Sequence, residues 1–103
     1  MSYRYRVLVE NFGVPRGGEV SSRELCFEAQ QHDDLFAIVD RVRQGGTVSP
    51  DEAESFAVGL KLFSEVALKH RKDPLFAEFM PHLGAFIQGL KRSAADAEAM
   101  AAK

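Results

Sequence analysis

The chain has 103 residues, 46% hydrophobic and 27% charged, an ordinary globular composition rather than that of a disordered chain, and one that fits a single domain. Its formal charge of −2 argues against a protein built to hold nucleic acid or anionic lipid, because phosphate affinity rests on positive surface. A single Cys excludes an internal disulfide. With no apolar run long enough for a membrane span, and with Arg4, Arg6 and Glu10 interrupting any likeness to a signal peptide, the expected location is cytoplasmic.

Tyr3 to Phe12 alternates, with Tyr3, Tyr5, Val7 and Val9 on one side and Arg4, Arg6, Leu8 and Glu10 on the other, the pattern of a strand with one buried face. Gly13 to Glu19 has loop composition, and Val20 to Ala29 alternates again, setting Leu25, Phe27 and Ala29 against Glu24, Cys26 and Glu28. The two strands predict an antiparallel hairpin. A register with Arg4 opposite Glu28 and Leu8 opposite Glu24 gives a charged outer lattice, each opposed pair worth about 0.2–1 kcal/mol. The Tyr-Arg-Tyr-Arg tract from Tyr3 interleaves rings and guanidinium groups as single-strand nucleic-acid binders do. Strand alternation sends them to opposite faces, so it is read as core tyrosines and surface arginines, with no nucleic-acid partner. Arg4, Arg6 and Cys26 share the outer face and are the candidate partner-face residues. No resolving Cys accompanies Cys26, so a structural role is expected for it.

His32-Asp33-Asp34 predicts a helix start with an aspartate cap. Leu35, Ile38, Val39 and Val42 recur at helical spacing, Phe36 widens the face, and Gly45-Gly46 ends the helix. Ser49-Pro50-Asp51-Glu52 then carries the signature of a capping box opening a long helix to Lys72. At about 100° per residue, Phe56, Leu60, Phe63 and Ala67 fall on one line flanked by Ala53, Ala57, Leu62 and Val66, an arc wide enough to be covered from two sides. Glu54, Lys61, Glu65 and Lys69 form the solvated strip. Gly59 lies within the apolar arc, where it costs about 1 kcal/mol relative to alanine, so a close approach to the backbone is expected there.

Asp73-Pro74 restarts a helix. Leu75, Phe76, Phe79 and Met80 form its first turns, Pro81 is expected to break or re-initiate it, and Leu83, Phe86, Ile87 and Leu90 supply a further apolar face. His70 and His82 sit at helix ends; if they converge with His32, a metal site or proton relay results, although none fits a local ligand spacing. No cofactor or metal is therefore assigned. From Ser93 the sequence is alanine-rich without an apolar stripe, so residues 1–92 are read as one globular domain and 93–103 as a frayed or disordered tail.

The segments His-Asp-Asp-Leu-Phe-Ala-Ile-Val (32–39), Phe-Ala-Val-Gly-Leu-Lys-Leu-Phe (56–63) and Pro-Leu-Phe-Ala-Glu-Phe followed by Pro-His (74–79, 81–82) resemble a family of roughly hundred-residue bacterial proteins classed as a domain of unknown function. The resemblance runs from Tyr3 to about Lys91 and leaves out the residues after Arg92. It implies a stand-alone α+β protein and carries no activity or functional residues.

The expected fold is α+β, an N-terminal antiparallel hairpin packed on three to four helices. Two strands alone are marginal in water, so a homodimer joining two hairpins through a sheet edge into four strands is expected. No phosphate loop, nucleophile elbow or His-Glu-x-x-His motif is present, so neither catalytic residues nor an enzyme class are assigned. The first functional reading is a non-enzymatic binding or regulatory module. The alternative is a small-molecule or metal binder, or a minor enzyme, with a pocket near Gly59, His70 and His82 and with His32 as a further ligand candidate.

Overall fold

The computed structural model describes residues 2–13, 18 and 23–101, with side chains up to Ser93. An antiparallel hairpin precedes three α-helices, in the order β1 (Tyr3–Glu10), β2 (Glu24–Gln31), α1 (Leu35–Gly45), α2 (Ala53–Lys69) and α3 (Pro74–Ala101), with a 3₁₀ turn over Pro50–Glu52 before α2. The chain divides into two compact units, 1–32 and 33–103, the hairpin and the helices.

In the hairpin unit, Arg4 is paired with Gln30, Arg6 with Glu28, Leu8 with Cys26 and Glu10 with Glu24. The expected register is thus displaced by two residues. An even displacement keeps every side chain on its face, which is why the alternation could not detect it. The Arg4–Glu28 ion pair survives as a diagonal contact, Nη2 donating to Oε2 over 3.0 Å, with both side chains largely in water and hence worth well under about 1 kcal/mol. At the end next to the connecting segment the register opposes two carboxylates, Glu10 and Glu24. Tyr5, Val7 and Ala29 are half-buried, whereas Tyr3, Val9, Leu25 and Phe27 keep 39–57% of their exposure. Strand β2 runs two residues further than expected and ends on Gln31, which is buried. Val20, placed in the second strand from sequence, lies outside the described residues.

In the helical unit, α1 is capped as its sequence dictates. The Asp34 carboxylate accepts from the Phe36 amide at 3.0 Å, and Gly46 closes the helix at φ 73°, a left-handed conformation that suits glycine. Leu35 is buried, but Phe36, expected to widen the packed face, is 73% exposed.

The start of α2 departs from expectation. Ser49 makes no side-chain cap hydrogen bond; its carbonyl accepts from the Glu52 amide at 3.0 Å, and the Pro50–Glu52 segment coils as a 3₁₀ turn before the α-helix begins at Ala53. The capping box is therefore not formed. Three-residue closure brings the orphan amide to the Ser49 backbone instead of its hydroxyl.

The buried stripe of α2 is also displaced. Ala53, Ala57 and Ala67 are 0–1% exposed and Ser64 is buried with them, while Phe63 and Val66 stay close to half exposed and Phe56 is half-buried. The stripe is turned by roughly 60° from the Phe56–Phe63 line toward Ala57. Small side chains let neighbouring helices approach, and the larger ones are left at the rim. Lys61 and Glu65, expected in the solvated strip, are half-buried. After Lys69 the chain turns through His70 to Asp73, and the first α3 bond runs from the Ala77 amide to the Asp73 carbonyl at 2.8 Å.

Helix α3 passes through Pro81 without interruption. The proline removes the donor for the carbonyl of Ala77, four residues earlier, but Ala77 and Pro81 are both exposed, so water can serve that carbonyl and the helix persists. Leu83 is buried. Two ring pairs join α3 to α2, Phe56–Phe86 with centroids 6.0 Å apart and Phe63–Phe79 at 5.8 Å, edge to face. The phenylalanines are spaced seven apart on each helix, so the antiparallel helices present a ladder of two rungs.

Candidate functional site

Helix α1 packs against α2 and α3, and between the three helices lies an open cleft of about 350 Å³, wholly within the helical unit. Its apolar wall comes from Ile38 and Val42 of α1, Ala57 and Leu60 of α2, and Ile87 and Leu90 of α3. These positions are what amphipathic spacing would bring together: four residues apart on α1, three apart on α2 and α3.

Charged groups rim the cleft. Lys61 and Asp33 pair through Nζ and Oδ2 at 2.8 Å, with the lysine side chain 23% exposed and the aspartate 57%. Asp34 is occupied as the cap of α1. Arg41 and Lys91 complete the rim, and among the described residues neither side chain has an ion pair or hydrogen bond.

The residues singled out from sequence lie elsewhere. Gly59 is exposed on α2, and a Cβ built on it meets nothing within 4 Å, so the expected close approach is absent among the described residues. His70 caps the C-terminus of α2, with Nδ1 3.0 Å from Asp73 Oδ2 and its ring stacked on Phe76 at 5.4 Å, an arrangement that accounts for it as a local brace. His82 is exposed on α3, and His32 is exposed just beyond β2. None of the four lines the cleft. Among the described residues no group of three or more His, Cys, Asp or Glu side chains is arranged to hold a metal ion. Cys26 is an exposed free thiol on the face it shares with Arg4 and Arg6. No helix of the described residues is long and apolar enough to cross a membrane.

Sequence reasoning missed Arg41, Lys61 and Lys91 as a group. Each reads as a surface cation on its own helix, and only the crossing of the three helices brings them to one rim. The available signal was the position of Lys61 one residue from Leu60, at the edge of an apolar arc rather than opposite it.

A hairpin followed by three helices defines a small α+β protein. Residues 3–92 match the family model of a domain of unknown function with a solved structure, DUF3861, and the chain belongs to that family. Its fold is similar to the crystal structure of a protein of unknown function from Pectobacterium atrosepticum, with a TM-score of 0.75 and 39% identity over 89% of this chain and 99% of that one. No curated protein matches the chain. The family therefore agrees with the resemblance read from residues 32–39, 56–63 and 74–82, and it brings no assigned activity.

Proposed function

We propose that the protein is a non-enzymatic binding or regulatory module that acts in the cytoplasm as a homodimer, with the hairpins of two copies meeting edge to edge in a four-stranded sheet. The observation that carries this reading is the hairpin itself: two eight-residue strands paired only with each other among the described residues, bearing Tyr3, Val9, Leu25 and Phe27 at 39–57% exposure. A two-stranded sheet is marginal in water, and its open edges are templates for pairing. A second copy satisfies both demands with the same surface, as two-fold symmetry requires. The net charge of −2 supports a protein partner over nucleic acid.

Native mass spectrometry across a concentration series tests this. The expected species has twice the 11.4 kDa protomer mass, and Leu25→Lys shifts it toward the protomer. A single-protomer mass at every concentration would sink the dimer reading.

A further inference from the structure

We infer that the cleft between α1, α2 and α3 binds a small amphipathic carboxylate, its acid group at Arg41 and Lys91 and its apolar body along Ile38, Leu60, Ile87 and Leu90. At about 350 Å³ the cleft lies at the lower end of the range of roughly 300–1,000 Å³ typical of small-molecule sites, and its wall is apolar with a few polar groups at one margin, as such sites are built. The sign of the ligand follows from the ion pairs. Of the five charged residues at the rim, Lys61 is matched by Asp33 at 2.8 Å, Asp34 caps α1 by accepting from the Phe36 amide at 3.0 Å while keeping its charge, and Arg41 and Lys91 have no partner among the described residues, so the rim carries one positive charge more than it has carboxylates. In a chain of net charge −2, two unmatched cations beside an apolar wall select an anion that also carries hydrocarbon. A carboxylate suits a guanidinium better than a cationic or neutral head group does, because the two planar groups share paired hydrogen bonds. The inference concerns the helical unit alone and does not depend on dimer formation.

The test is a ¹H–¹⁵N NMR titration of the full chain with decanoate, decanol and acetate. Decanoate is expected to give saturable shifts at amides of α1, α2 and α3 lining the cleft, with decanol and acetate both at least about tenfold weaker, one lacking the charge and the other the chain. The paired exchange Arg41→Gln and Lys91→Gln, at two exposed positions whose loss leaves the packing intact, is expected to weaken decanoate by about tenfold and leave decanol unchanged. Ala37→Phe, which fills the cleft from an exposed position on α1, is expected to abolish the shifts from both. The proposal is overturned by decanol binding as tightly as decanoate, by shifts centred on the hairpin or on the Phe63–Phe79 rung, by an undiminished response in the paired variant, or by no saturable response at all.

Discussion

The two sides of α2 solve the same problem in opposite ways. On one side Ala53, Ala57, Ser64 and Ala67 are buried; on the other, Phe63, its α3 partner Phe79 and the Phe56 partner Phe86 stay 42–48% exposed although each ring meets its partner. Apolar bulk is therefore a poor guide to depth in this helix. Backbones can come close only where side chains are small, and the closest approach is what excludes water. Large rings hold two helices apart, covering the seam between them while leaving their own outer faces wet.

Four substitutions put that contrast to the test. The largest expected effect is Ala57→Leu, which forces three added carbons into the tight side and should cost about 2–3 kcal/mol in urea unfolding; an unchanged midpoint would mean the alanine side is loose. Phe63→Ala should cost about 2 kcal/mol, below the roughly 3–5 kcal/mol of a fully buried Phe, and a double-mutant cycle with Phe79→Ala should return a coupling of about 0.5–1.5 kcal/mol. A zero coupling would show that the rings merely adjoin. Ser64→Ala should stabilise by about 1 kcal/mol, since the buried hydroxyl has no hydrogen-bond partner among the described residues; destabilisation would reveal one. Smallest is Gly59→Ala, expected to raise stability by about 0.5–1 kcal/mol because a Cβ there meets open space, whereas a loss accompanied by weaker self-association would place a second copy against this stretch.

What the residues disclosed, and what they withheld, follows the range of the forces involved. Local chemistry was legible: the Asp34 cap, the Gly46 stop, the Pro74 start and the strand alternation all depend on a few neighbours in sequence. The direction in which α2 turns its face was not, because Phe63 and the flanking Ala57 both belong to one wide apolar arc and only the distance between helices decides which is enclosed. Pro81 misled for a related reason. Its local penalty is real, but an exposed Ala77 carbonyl softens it, and the apolar positions on both sides favour one continuous helix. The cleft lay beyond reading altogether, as Arg41, Lys61 and Lys91 sit on three helices and become neighbours through packing alone. Gly59, His70 and His82 drew notice as unusual letters in unusual places, and His70 turns out to brace the α2–α3 turn through Asp73.

The pairing of Arg4 with Gln30 in place of Glu28 has a bearing on how this hairpin tolerates change. Sliding one strand by an even count leaves the greasy and the wet sides intact, so neither side can arbitrate between such alignments. That choice falls to particular partners, such as Arg4 reaching Glu28 on the diagonal at 3.0 Å. A slip of two residues swaps partners yet keeps sidedness, while a slip of one turns the apolar side of one strand into water.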